Sequence, residues 1–182
     1  TANNNQLDFD DDGMGDVCDP CPMPPDLIFN TQTQITNFFA NPANYINCIP
    51  NDVYIEGTTI VDLRGFMNFK KIIGNLTITE CDKLQSLDGL DSIKYIGGNF
   101  EIAQMENLRD ISALAYLDSI GGNFTLGTCE LLESIEPLNN LQKVEGSITI
   151  YSNAKLKECC CMYPFLLNQK PNSGLSLTGN LT

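Results

Sequence analysis

Gly74-Asn75-Leu76-Thr77-Ile78 returns as Gly98-Asn99-Phe100-Glu101-Ile102, again as Gly122-Asn123-Phe124-Thr125-Leu126, and again as Gly146-Ser147-Ile148-Thr149-Ile150, each step being 24 residues long. A fixed period of this size marks a repeat architecture. Within the first copy, Leu76 and Ile78 alternate with Thr77 and Thr79, which is the two-residue period of a strand with one buried face.

The apolar columns outside the strand keep the same register. They run Ile60, Leu84, Leu108, Leu132, Leu156; then Leu63, Leu87, Ile111, Ile135, Cys159; then Phe66, Leu90, Leu114, Leu138, Met162. Two further columns are Phe69, Ile93, Leu117, Leu141, Phe165 and Ile72, Ile96, Ile120, Val144. An apolar residue at about every third position suits a turn-rich connector, and Gly97-Gly98 and Gly121-Gly122 free the backbone to enter the next strand. One such unit cannot bury its own apolar face. Stacked on its neighbours at about 4.8 Å, it builds a parallel sheet and a continuous core. Each buried Leu or Ile then contributes roughly 1.5–3 kcal/mol. The expected fold is mainly β: a right-handed parallel β-solenoid of about six turns.

A stack of this kind needs caps. Residues 33–39, with Tyr45, predict a short helix over the first turn, and Val53-Tyr54-Ile55 reads as the first strand. Downstream the repeat breaks at Cys159-Cys160-Cys161, and after Pro164 and Pro171 a last strand follows at Leu175-Ser176-Leu177. There Asn180 echoes Asn153. The expected organisation is an acidic loop over residues 1–22, a linker and N-terminal cap over 23–52, and the solenoid with a Cys-rich C-terminal cap over 53–182.

This pattern resembles the receptor L domain, the leucine-rich-like β-solenoid of receptor ectodomains, and is similar to receptor-L-like repeats in large secreted or surface proteins. The resemblance covers roughly residues 48–182. It implies an extracellular fold and, in a receptor, a bound ligand. Solenoids host many functions, so it says more of fold than of activity.

The stretch Asp8-Phe9-Asp10-Asp11-Asp12-Gly13-Met14-Gly15-Asp16-Val17-Cys18-Asp19 is the second signal. Carboxylates stand at loop positions 1, 3, 5, 9 and 12, as Asp8, Asp10, Asp12, Asp16 and Asp19, and Gly13 stands at position 6 where the turn is sharp. Met14, at position 7, offers its backbone carbonyl. That is the ligand spacing of a calcium loop, with Asp19 in place of the usual Glu. Hard oxygen donors at this density suit Ca²⁺ better than a softer metal. Residues 6–21 also resemble a thrombospondin type 3 repeat, which implies calcium wrapped by the loop and disulfides near it.

The formal charge is −13 and there is no histidine. Phosphate binding needs Lys and Arg clusters, so nucleic acid is an unsuitable partner. No stretch is apolar enough to span a membrane. Eight cysteines in 182 residues point to disulfides and an oxidising compartment. Zinc is the alternative, but it usually wants two Cys pairs or Cys with His. The bridge candidates are Cys18, Cys21, Cys48, Cys160 and Cys161. Cys81 and Cys129 share one repeat position two steps apart, roughly 9.6 Å by strand spacing. That is too far for a mutual bridge, so they are buried free thiols or reach a cysteine elsewhere. The start in an Asn run and the end at Thr182 suggest a mature product or a piece of something longer.

Asn75, Asn123 and Asn180 head N-glycosylation sequons. The first two share a repeat position with Asn99, which has no sequon, so they are glycan acceptors or turn and ladder residues. Catalysis is not expected. Glu101 stands alone in its outward column, Glu56 and Glu80 fall at turns, and without histidine a Ser-His or Cys-His pair is excluded. The outward columns Thr77, Glu101, Thr125, Thr149 and Thr79, Ala103, Gly127, Tyr151 are too irregular for an ice-binding array, and Tyr151 reads as their only aromatic. Two readings remain. The first is a calcium-binding structural or adhesive module, partnered by other subunits or copies of itself in an extracellular assembly. The second is a receptor-type ectodomain that recognises a peptide or glycan.

Overall fold

Parallel strands cannot be joined by a hairpin; each pair needs a crossover of a dozen or more residues, and the repeat supplies one of the right length. The computed structural model describes residues 26–41, 48–157 and 174–180. Over these residues the chain is mainly β, with parallel strands in two sheets and a single α-helix. This layout is consistent with the expected β-solenoid.

In chain order the elements are β1 (Leu27–Phe29), α1 (Gln32–Ala40), β2 (Cys48–Ile49), β3 (Val53–Glu56), β4 (Lys71–Ile72), β5 (Leu76–Thr79), β6 (Tyr95–Ile96), β7 (Phe100–Ala103), β8 (Ser119–Ile120), β9 (Phe124–Gly127), β10 (Lys143–Val144), β11 (Ile148–Tyr151) and β12 (Leu175–Thr178). Three short 3-10 helices, Arg64–Asn68, Ser112–Tyr116 and Glu136–Asn140, occupy one place in the repeat. The broad sheet has seven strands in the order β1-β3-β5-β7-β9-β11-β12, and the narrow one has five in the order β10-β8-β6-β4-β2. Registers step by the repeat: Leu76 faces Phe100, Phe100 faces Phe124, and Phe124 faces Ile148.

The described members of all five apolar columns are buried in one continuous core. Its N-terminal end is closed by α1. Thr31 caps this helix: its hydroxyl accepts from the Gln34 N–H at 3.3 Å, and Gln34 Oε1 accepts from the Thr31 N–H at 2.9 Å. That reciprocal pair satisfies two backbone donors that would otherwise be orphaned. Ile35 and Phe39 point inward. The Phe39 ring meets Phe66 at 4.8 Å and Phe69 at 5.6 Å, so the cap is an aromatic plug over the first coil. Tyr45, expected to join it, lies outside the described residues.

The expected first strand, at 53–55, is the second of the broad sheet. Leu27–Phe29 precedes it and pairs in parallel, Leu27 against Val53, within the stretch read as linker and cap. A run of three apolar residues without the Gly-Asn lead carries no strand signal by itself. Its alternation becomes visible only with a partner, Leu27 and Phe29 buried and Ile28 exposed. The strand expected at 175–177 is present as β12, paired in parallel with β11.

After β5, β7, β9 and β11 the backbone turns through a left-handed residue that is not glycine. Glu80, Gln104, Thr128 and Ser152 have φ of 53°, 56°, 51° and 53°. A non-glycine there costs about 1–2 kcal/mol, which the packed neighbouring coils must offset. These corners were not legible in the sequence, because glycine, the usual signal, is absent from them.

Candidate functional site

The outward face of the broad sheet carries two columns. One is Ile28, Tyr54, Thr77, Glu101, Thr125, Thr149, Ser176, and its neighbour runs Glu56, Thr79, Ala103, Gly127, Tyr151, Thr178. Tyr54 therefore corrects the expectation that Tyr151 is the only outward aromatic; its column became certain only with the register of β3. The Tyr54 hydroxyl donates to Asp52 Oδ2 at 3.0 Å, which fixes the ring at the start of the face. Tyr151 lies flat on the sheet. A Cβ placed on Gly127 would come within 2.2 Å of its Cε1 and Cζ atoms, so Gly127 is the bed on which the ring rests. Four strand spacings separate the two tyrosines, about 19 Å along the stack. Between them lie threonines and a shallow dip at Ala103 and Gly127, both buried. An aromatic face flanked by hydroxyls can stack against an apolar or sugar ring and orient it by hydrogen bonds.

Beside the face, at the left-handed corners, is an open concavity of about 320 Å³. One side is Glu80, Gln104 and Thr128; the other is Asp82, Glu106 and Glu130. The second row repeats every 24 residues and could have been read from the sequence. Asp82, Glu106 and Glu130 stand one strand spacing apart, so this edge is a row of like charges that repel. A shallower polar hollow lined by Val61, Lys83, Gln85 and Asn107 follows it.

The opposite edge is a side-chain ladder. Asp52 Oδ1 accepts from the Asn75 N–H at 2.7 Å, Asn75 Oδ1 from the Asn99 N–H at 2.7 Å, and Asn99 Oδ1 from the Asn123 N–H at 2.8 Å. Asn123 Oδ1 closes the series by accepting from the Ser147 N–H at 2.8 Å. The Asp52 carboxyl is held below its ordinary range, first by the Asn75 N–H, against an opposing effect of burial, and then by the Asn75 amide and the Tyr54 hydroxyl. Asn75 and Asn123 thus have a ladder role through Oδ1. Asn180 belongs to a different, inner ladder: its Oδ1 accepts from Asn153, and its Nδ2 donates to the Ile150 carbonyl at 2.5 Å.

The predicted calcium ligands Asp8, Asp10, Asp12, Met14, Asp16 and Asp19 lie outside the described residues, as do Cys18, Cys21, Cys160 and Cys161. Cys48 is disulfide-bonded. Cys81 and Cys129 are free and buried, which decides between the two alternatives left by their spacing. Burial pushes their thiols up to about 11 and about 12, so both are protonated near neutral pH and are inert packing groups.

A mainly parallel-β chain with a 24-residue ladder and an open outward face defines the class of protein. Residues 68–132 match the receptor L domain family. The match runs from the first 3-10 helix into the coil after β9, and so takes in the middle three strands of the seven. No curated protein matches the chain. Receptor L domains are typically extracellular parts of receptors. No helix among the described residues is long and apolar enough to cross a membrane.

Proposed function

We propose that the chain is an extracellular, ligand-binding module of the receptor L type, and that a peptide or glycan lies across the outward face of the broad sheet. The observation that carries this is the receptor L domain match over 68–132, centred on that face. The family match reverses the order of the two readings drawn from the sequence. The capped N-terminal end supports the same choice, because α1 occupies the surface through which coils would stack into a filament. The coil is right-handed, the hand nearly all parallel crossovers take, and has about six turns. Tyr54 and Tyr151 anchor the ligand, and Thr77, Thr125 and Thr149 orient it.

Calcium belongs to the same proposal as a separate element. Asp8, Asp10, Asp12, Asp16 and Asp19, with the Met14 carbonyl, hold one Ca²⁺ through hard oxygen donors and stiffen the N-terminal segment. The family match and the cysteine content support an extracellular setting.

The test is retention of the full chain on a glycan array and on a displayed random-peptide library, in parallel with Tyr54→Ala and Tyr151→Ala. Binding that falls tenfold or more in either variant, with unchanged circular dichroism, supports the reading. Silence on both surfaces, or binding indifferent to both tyrosines, refutes it.

A further inference from the structure

Asn75, Asn123 and Asn180 all head sequons, and the structure gives their side-chain nitrogens three different surroundings. The nitrogen is the atom that matters, because a glycan is attached at Nδ2 and leaves Oδ1 in place. Along the edge ladder every Oδ1 is turned toward the following coil. Those of Asn75, Asn99 and Asn123 accept from the N–H of Asn99, Asn123 and Ser147. A Cβ placed on Gly98, Gly122 or Gly146 would come within 2.4, 2.5 or 2.4 Å of the same three oxygens. These amides cannot be flipped, since an Nδ2 in that place would set a donor against a donor.

Asn75 Nδ2 is engaged. It donates to Asp52 Oδ2 at 2.8 Å, the second oxygen of the carboxylate whose first accepts from the Asn75 N–H. That bond is charge-assisted, about twice as strong as a neutral one, and the side chain is half-buried. Asn180 Nδ2 is engaged as well, by the Ile150 carbonyl at 2.5 Å, on the inner ladder beside the fully buried Asn153. A sugar on it would have to displace that rung. Asn123 differs from both. It is exposed, and among the described residues its Nδ2 has no acceptor, while its Oδ1 is held twice, by the N–H and the hydroxyl of Ser147 at 2.8 and 2.9 Å. The cause is the preceding rung. Before Asn75 that rung is Asp52, with two acceptor oxygens; before Asn123 it is Asn99, with one oxygen, engaged by the Asn123 N–H, and a nitrogen that only donates.

We infer that Asn123 is the one of the three sequons that carries an N-glycan in the folded, secreted chain, and that Asn75 and Asn180 stay bare as rungs. The donor is an oligosaccharide carried on a lipid diphosphate. Transfer forms the bond from Asn123 Nδ2 to the anomeric carbon and breaks the bond from that carbon to the diphosphate, which leaves with the electron pair; one Nδ2 proton is lost to the transferase. Asn123 Oδ1 remains an acceptor, so the ladder bond from Ser147 survives the modification. The glycan stands at the ladder edge beside β9, across the outward face from the acidic corners. The inference rests on the extracellular setting proposed above and not on the ligand reading.

The experiment sends the full chain through the secretory pathway of a eukaryotic host and releases its glycans with an amidase in heavy-oxygen water. Each modified Asn becomes a labelled Asp, which peptide mass spectrometry locates. The expected result is label at Asn123, with Asn75 and Asn180 bare. Thr125→Ala, which keeps Asn123 in the ladder, should lose the whole glycan mass, and Thr77→Ala none of it. Secreted, folded chain with Asn123 bare, or with label at Asn75 or Asn180, overturns the inference. Because the host imposes the secretory route, a bare Asn123 counts against the site itself and leaves the ligand reading standing.

Discussion

Asn153 is fully buried, with a relative exposure of 0%, and Asn153→Ala is the sharpest test of how the coils are held together. Its Oδ1 accepts from the Cys129 N–H at 2.9 Å, and its Nδ2 donates to the Leu126 carbonyl at 3.1 Å and to Asn180 Oδ1 at 3.0 Å. Alanine leaves the Cys129 N–H without its acceptor where water does not reach. An unsatisfied buried donor costs about 1–3 kcal/mol, and each of the other two bonds about 0.5–1.5 kcal/mol. The expected loss is about 2–6 kcal/mol. Asn99→Ala is the control. It also removes a ladder bond, that from the Asn123 N–H at 2.8 Å, but Asn99 is exposed and water takes its place. Its cost is about 0.5–1.5 kcal/mol.

Urea unfolding followed by circular dichroism compares the two. A lower midpoint at constant slope means the loss is global. A reduced slope means that the coil ending in β12 has detached first, since the slope scales with the surface exposed. Equal costs for the two variants would refute the reasoning, because burial and two further side-chain bonds both set Asn153 apart from Asn99.

Other outcomes follow from the same structure. Gly127→Ala should leave the fold intact, as Ala103 fills the same place one strand earlier, yet lift the Tyr151 ring and weaken ligand retention about tenfold; unchanged retention removes Tyr151 from the site. Cys81 and Cys129, with thiols raised to about 11 and about 12 from an ordinary 9.0, should resist alkylation at pH 8 in the native chain and react in guanidinium. Because the folded values lie above the unfolded one, the unfolded state loses protons first, and stability should fall as pH rises above 9.0; rapid labelling of the native thiols would contradict their burial. Calcium titration by calorimetry should show one site of roughly 10⁻⁴–10⁻³ M, lost in Asp8→Asn/Asp10→Asn; heat that persists in that variant places the cation elsewhere.

Where the period was strict, much of this was legible in advance. The Gly-Asn lead, Gly-Ser before β11, and the alternation at 76–79 located β5, β7, β9 and β11, and the five columns named the core, because repetition multiplies a weak local signal. β1 escaped because it lacks the lead, and the helical cap over 33–39 was caught because Ile35 and Phe39 lie four apart on one helical face. Asn75 and Asn99 were visible as a column, but not the bonds from each Oδ1 to the next backbone N–H.

By itself the sequence determined the stacking period, the buried columns and the acidic loop's donor spacing, all of them properties of residues close in the chain or repeated along it. Only the tertiary structure decided which face Tyr54 occupies, that Tyr151 lies on Gly127, and that Lys71 is buried on an outward strand position. Those depend on register and on packing between coils, and a one-residue slip in register moves every side chain to the other face.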